Sequence, residues 1–269
     1  MRIGFHWIRR KRQPKPDKVP LARTHAERAL ELSPGEPDAH RVLAQIAATH
    51  DYNWKEAKEH FRLARASEPI PPGFRVSYAM DYLAPLGRFE EALQEEAQAI
   101  PQDPLNAVWR MFRAGTFFLA GMYERTIVEA REARELGDRS HIPLVTMAEC
   151  YFYQGRFVEA GPAAEEGFRV APWDAVATGF LARVLMDAGE KDRAQGLLAR
   201  LPSMPLAGIV RYHLAGSEMD AAFDWYEKAL EQRQPFAALW ASSAQLRPLR
   251  TSPRWPKLAN LMNLPESLQ

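Results

Sequence analysis

The feature that most constrains this chain is a short motif that recurs at a fixed spacing. The motif is written GRFEEA, GMYERT, GRFVEA and GEKDRA, and its four glycines lie 34 residues apart, at Gly87, Gly121, Gly155 and Gly189. In the first three copies an aromatic residue stands two positions after the glycine. A strict period of this length is typical of stacked helical hairpins, each of which contacts only its neighbours. The chain is therefore predicted to be an all-α solenoid.

Each position of the motif has a physical role. Apolar residues at helical spacing precede and follow every glycine, so the glycine is predicted to supply the permissive backbone that turns one helix into the next. The small residue that ends each motif lets the second helix of a hairpin approach the first. These residues are Ala92, Thr126, Ala160 and Ala194. In an earlier unit the corner glycine is replaced by residues 51–53.

The spacing predicts three segments. Residues 1–18 form a basic extension without regular order, residues 19–234 form the solenoid of about six and a half hairpins, and residues 235–269 form a C-terminal cap. The cap is expected because the last unit of a solenoid needs an atypical form that covers its exposed end. Its composition, with two tryptophans between prolines, agrees with that role.

The first hairpin is predicted to lack its first helix. A second-helix pattern begins at Leu21, but the sequence before it, QPKPDKVP, is rich in proline and disfavours a helix. Two alternatives stay open. The missing helix and an effector domain lie upstream of Met1, or Phe5, Trp7 and Ile8 fold back and cover the first helix.

Composition and charge describe an ordinary soluble chain with a basic start. Hydrophobic residues make up 46% of the sequence and charged residues 26%, and no apolar run is long enough for a membrane span. We therefore expect a cytoplasmic protein. Residues 1–18 carry a net charge of +6, which leaves about −5 on the rest of the chain. A nucleic-acid or anionic-membrane contact through residues 1–18 is the competing hypothesis.

Motifs for catalysis, cofactors or metals are missing from the sequence. Glu56 and His60 share a helical face, but the second histidine of a helical zinc site is not there. The sequence contains neither GxxxxGK[ST] nor GxSxG. Cys150 lies inside a helical pattern and is predicted to be a buried thiol. We expect a non-enzyme without catalytic residues, cofactor or metal.

The 34-residue pattern of small and aromatic residues with a closing proline resembles the tetratricopeptide repeat over residues 21–234. The resemblance implies a right-handed superhelix with its first helices on the concave side. The stretches LARTHAERALELSP, HDYNWKEAKEHFRLARASEP and DAAFDWYEKALEQRQP are similar to the C-terminal repeat region of bacterial signalling proteins. In those proteins the repeats follow a winged-helix, serine/threonine kinase or adenylate cyclase domain, which implies a sensory or docking role in signalling or transcription.

The resemblance also implies a binding groove, because the first helices of such arrays meet the ligand at fixed positions. Carried onto this chain, the groove is predicted to hold an apolar or amphipathic peptide. The positions that a carboxylate clamp needs carry other residue types here. An alternative for each groove residue is burial between units. The predicted groove residues are Phe74, Asp81, Met111, Phe118, Glu149, Phe152, Tyr153, Arg183 and Met186.

Together these observations predict a scaffold for a protein or peptide partner. The sequence identifies neither the partner nor the oligomeric state of the protein.

Overall fold

The computed structural model describes residues 18–66 and 69–268, and the regular elements of these residues are all helical. Two of the helices continue as a π-helical turn, over Ala47–Asp51 after α2 and over Ala79–Leu83 after α4. The α-helices are α1 Lys18–Leu32, α2 Pro37–Ile46, α3 Trp54–Ala64, α4 Pro72–Tyr78, α5 Phe89–Ala99, α6 Ala107–Leu119, α7 Tyr123–Glu135, α8 Ile142–Tyr153, α9 Phe157–Val170, α10 Ala175–Asp187, α11 Lys191–Leu198, α12 Ala207–Ala215, α13 Met219–Glu231, α14 Pro235–Leu239, α15 Arg247–Arg250 and α16 Trp255–Leu261.

The helices from α2 to α13 form consecutive hairpins, and α1 stands before the first of them. We number the hairpins 1 to 6 in chain order, so that α2 and α3 make hairpin 1 and α12 and α13 make hairpin 6. Neighbouring hairpins pack through their first helices, and α5, α7 and α9 also contact the first helix of the next hairpin. The all-α solenoid predicted from the 34-residue period is confirmed.

The corner glycines have the backbone conformation that the motif predicts. Gly87, Gly121, Gly155 and Gly189 all have a positive φ, between 72° and 83°. A side chain at such a position is strained because its Cβ approaches the following carbonyl oxygen. Hairpin 1 turns at Tyr52 instead, with a φ of 57°. Its left-handed backbone is held by Asn263, which donates to the Tyr52 carbonyl at 3.2 Å.

The small motif residues make the close helix contacts expected of them. Ala92, Thr126, Ala160 and Ala194 are fully buried. Among the described glycines, Gly179 of α10 and Gly208 of α12 lie nearest to the backbone of a neighbouring helix. A Cβ at Gly179 would lie 2.1 Å from the Gly208 carbonyl oxygen, so these two helices touch through their main chains.

Helix α1 begins earlier than the sequence predicts. It starts at Lys18 rather than Leu21 and contains Pro20 in its first turn. Proline is tolerated there because the first backbone N–H groups of a helix have no intrahelical acceptor. One side of α1 packs through Ala26 on Leu43 of α2. Residues 1–17, and with them Phe5, Trp7, Ile8 and most of the predicted basic extension, lie outside the described residues.

Residues 235–268, which we call the C-terminal segment, do more than cover the last hairpin. Trp255, Leu246 and Leu258 are almost fully buried in a core that also holds Tyr52 and Phe61 of hairpin 1. The segment thus joins the last hairpin to the first ones. The division of the chain at residues 18 and 234 stays a prediction.

Candidate functional site

The predicted groove residues lie on the first helices, at two levels of burial. Those that are buried are Phe74, Phe118, Glu149 and Arg183. Those that are partly buried are Asp81, Met111, Phe152, Tyr153 and Met186. The structure brings only some of them together, because they belong to separate apolar clusters along the solenoid.

Phe118, Phe152 and Tyr153 form one connected aromatic group. The Phe118 and Tyr153 rings are 6.4 Å apart, and Phe152 meets Tyr153 edge-on at 6.0 Å. Tyr123 stacks on Tyr153 at 5.6 Å. Phe74 is elsewhere, stacked on Tyr78 of its own helix, so it takes no part in this group.

Arg211 of α12 lies against the Phe118 end of the group. Its guanidinium lies 5.1 Å from the centre of the Phe118 ring and 3.9 Å from that of Trp240, and it donates to the buried carboxylate of Glu149. Burial raises the pKa of Glu149, and the charge of Arg211 opposes that rise. Sequence reasoning missed Arg211 and Trp240, because nothing in the sequence places α12 and the C-terminal segment opposite Phe118.

These contacts leave little free space around the aromatic group. Phe118, Tyr153, Arg211, Trp240 and Gln245 line a cavity of about 10 Å³. That is room for about one water molecule. A cavity of this size is too small for a peptide side chain beside Phe118.

The C-terminal segment also covers the turns of hairpins 1 to 3. Ser242 donates to the Pro85 carbonyl at 2.6 Å, and Gln245 donates to the Phe118 carbonyl at 3.0 Å. The indole of Trp54 donates to the Met262 carbonyl at 2.8 Å. The segment therefore covers the side of the array on which the turns of hairpins 1 to 3 lie.

The charged groove positions have different partners. Arg183 is held by carboxylates of its own array, Asp187 and Glu218. Asp81 instead accepts a hydrogen bond from the neutral amide of Gln45 at 2.7 Å. Burial raises the pKa of Asp81 to about 6. The charge of Arg41 opposes that rise, but Asp81 has no ion pair among the described residues, so a cationic partner could still supply one.

The described residues contain no group of three or more side chains that could hold a metal ion. The carboxylate of Glu56 is 3.9 Å from His60, whose Nδ1 lies 2.9 Å from Nδ1 of His40. Cys150 is a buried free thiol as predicted, and burial raises its pKa. Within residues 18–66 and 69–268, every helix is too short or too polar to cross a bilayer.

Comparison with known proteins agrees with the architecture. Residues 151–204, from the end of α8 to the turn after α11, match the tetratricopeptide repeat. The chain has a tetratricopeptide-repeat fold. This fold supports a protein-interaction scaffold. A search of curated proteins finds no match to the chain.

Three solved structures illustrate the likeness. PilW, a type IV pilus biogenesis factor, superimposes with a TM-score of 0.58 at 17% identity over 70% of this chain and 86% of its own. PilF of Pseudomonas aeruginosa gives 0.55 at 16% over 81% of this chain and 96% of its own. Human IFIT1, solved as a dimer with PPP-AAAA, gives 0.60 at 18% over 93% of this chain and 62% of its own. At these identities the likeness concerns the fold alone.

Proposed function

We propose that this protein is a non-enzymatic scaffold that docks a protein or peptide partner on its first helices. The observation that carries the proposal is that five side chains on these helices are only partly buried and so remain accessible to solvent. They are Asp81, Met111, Phe152, Tyr153 and Met186. A partner would bring apolar side chains to the methionines and aromatic rings. A cationic group beside them would meet Asp81.

The proposed setting is bacterial signalling or transcriptional control. Support comes from the resemblance of α1, of α3 in hairpin 1 and of α13 in hairpin 6 to the C-terminal arrays of signalling proteins. The partner in this proposal is a regulator, kinase or cyclase. The proposal needs no cofactor and no chemical step by this chain.

A charge reversal on the first helices tests the docking site. The intact chain, immobilised, is offered a lysate of its source cell, and the captured partner is identified and then purified. Asp81→Lys is expected to weaken that partner's binding at least about tenfold, since a charge of the wrong sign would face it. Glu90→Lys makes the same charge change on an exposed position of α5 and is the control.

Melting temperatures separate loss of binding from loss of fold. If Asp81→Lys melts early, Asp81→Asn repeats the test with a side chain of nearly the same shape. A partner that binds both Asp81 variants and Met186→Ala as tightly as the original chain contradicts docking on the first helices. A partner without a regulatory or effector domain contradicts the signalling role, and turnover by the chain alone contradicts the non-enzymatic role.

A further inference from the structure

The second helices of hairpins 3 and 4 carry apolar side chains that the fold leaves uncovered. Val128 on α7 is 51% exposed and Val158 on α9 is 87% exposed. Met122 and Phe157, at the starts of the same two helices, are also exposed. The two starts lie side by side, because Arg156 and Glu124 form an ion pair at 3.1 Å. Grouped apolar exposure of this kind marks an interaction surface, whereas single exposed residues do not.

A groove of about 440 Å³ runs between α7 and α9 on the same face. Its floor is formed by Leu144, Met147 and Tyr151 of α8. We call it the outer groove, because its walls are the second helices α7 and α9, and only its floor belongs to a first helix, α8.

The exposed valines extend the outer groove. Val128 shares a helical face with the groove residue Arg131, three positions later, and Val158 shares one with Pro162, four positions later. The two wall helices therefore carry exposed apolar side chains beyond the groove, toward their starts.

The two walls of the groove differ in charge. Arg131 and Arg134 stand on α7, with Glu135 at the end of that wall. Glu159 and Glu166 stand on α9, and Glu159 is paired with Arg156 at the start of that helix. Arg134 and Glu166 approach to 3.7 Å across one end. Arg131 donates to the Tyr151 hydroxyl at 2.8 Å and so leans over the floor.

An apolar floor between two helical walls accepts a third helix that presents an apolar stripe. We propose that the outer groove binds an amphipathic helix of a partner protein, whose stripe is flanked by acidic side chains facing α7 and basic side chains facing α9. The occupant follows from charge complementarity with the two walls. This surface is separate from the docking site on the first helices and does not depend on it.

Synthetic helical peptides test the outer groove directly. Three peptides share one length and one leucine stripe; the first has acidic residues on one flank and basic residues on the other, the second is acidic on both flanks, and the third is basic on both. A helix can lie in either direction, so the mixed peptide always has an orientation that matches the walls. Fluorescence anisotropy is expected to show the mixed peptide binding about tenfold tighter than the other two.

Reversing one wall should change the preferred peptide. In Arg131→Glu/Arg134→Glu both walls are acidic, so the basic peptide is expected to become the tightest. Lys55→Glu/Lys58→Glu makes the same change on exposed positions of α3 and is expected to keep the original preference. Val158→Asp should weaken all three peptides without loss of fold, since that side chain is almost free of contacts.

Failure to bind any peptide, equal binding of all three, or an unchanged preference in the reversed wall overturns the proposal. Asp81→Lys is expected to leave peptide binding unchanged. A negative result with the peptides therefore concerns the outer groove alone, and the docking site on the first helices is tested separately.

Discussion

The same glycine turn occurs in two settings, and the difference shows what the C-terminal segment does. The turns of hairpins 2 and 3 are covered, because a Cβ at Gly87 would lie 3.4 Å from Ser242 Oγ and one at Gly121 would lie 2.9 Å from Ala244 Cβ. The turns of hairpins 4 and 5 are open, because a Cβ at Gly155 or Gly189 would meet no described atom within 4 Å. All four glycines are needed for their positive φ. Among the four, only at Gly87 and Gly121 would a side chain also contact the C-terminal segment.

This contrast also separates two surfaces. Hairpins 1 and 2 share one core with the C-terminal segment. In hairpin 3, Arg211 and Trp240 pack beside Phe118. At the boundary between the covered and the open turns, α7 of hairpin 3 and α9 of hairpin 4 expose valines beside the outer groove. We call hairpins 1 to 3 with the C-terminal segment the covered half of the array, and hairpins 4 and 5, whose turns stay accessible, the open half.

The largest expected effect comes from removing the anchor of the covered half. Trp255 is almost fully buried in the core shared with hairpin 1. Trp255→Ala should lower the free energy of unfolding by about 3–5 kcal/mol, as for other buried aromatic truncations. Trp173→Ala, at an exposed site near the open half, should change it by less than about 0.5 kcal/mol. Urea unfolding checks both, and equal effects would mean that the segment is not part of the core.

A buried carboxyl group should make the covered half sensitive to pH. Burial raises the pKa of Glu96, which accepts from Thr116 at 2.7 Å, to about 8. The folded state therefore keeps a proton that the unfolded state releases above its ordinary pKa. The contribution of Glu96 to the free energy of unfolding is therefore full below pH 4.5 and falls by roughly 1.4 kcal/mol per pH unit until the pH reaches about 8.

Glu96→Gln should remove most of this slope, while Glu90→Gln, an exposed neighbour on α5, should keep it. Urea unfolding at pH 5, 6.5 and 8 measures all three proteins. A slope that is the same in Glu96→Gln would show that another group causes it.

Alanine at matched glycines compares the covered and open turns directly. Gly155→Ala should cost roughly 1–2 kcal/mol, because only the positive φ is strained. Gly121→Ala should cost about 1–3 kcal/mol more, because its methyl group would also collide with Ala244. Thermal unfolding of the two variants gives the difference. Equal losses would contradict a covered turn at hairpin 3.

The smallest effect is expected from a single hydrogen bond across the covered turns. Ser242→Ala removes the donor to the Pro85 carbonyl and should cost about 1 kcal/mol. Ser203→Ala, at an exposed serine between hairpins 5 and 6, provides the comparison. A Ser242→Ala protein as stable as the original would indicate that the segment does not depend on this bond.

How much of this could be predicted follows from the range of each interaction. The hairpins, their corners and the small contact residues depend on neighbours within one period, so the 34-residue motif was sufficient to predict them. The contact of Arg211 with Glu149 joins residues 62 positions apart, and that of Trp54 with Met262 joins residues 208 apart. Such contacts depend on the curvature of the whole array, which no local pattern contains.

The candidate site shows the same limit. The position rule places the groove residues on first helices, but it could not tell that Phe118 would be covered and Asp81 only half-buried. The outer groove was missed as well. Its exposed Val128 and Val158 read as ordinary apolar positions until the neighbouring helices are in place.

The central claim, that the C-terminal segment closes over the turns of the first hairpins, is most directly tested by a cross-link. A Cβ at Gly87 would lie 3.6 Å from Ser242 Cβ, within the range for a disulfide, and the native Cys150 is buried. Gly87→Cys/Ser242→Cys should form an intramolecular disulfide under mild oxidation and raise the melting temperature relative to its reduced form, whereas Gly155→Cys/Ser242→Cys should not cross-link. Free thiols in the first pair, or equal cross-linking of both pairs, would contradict the closure.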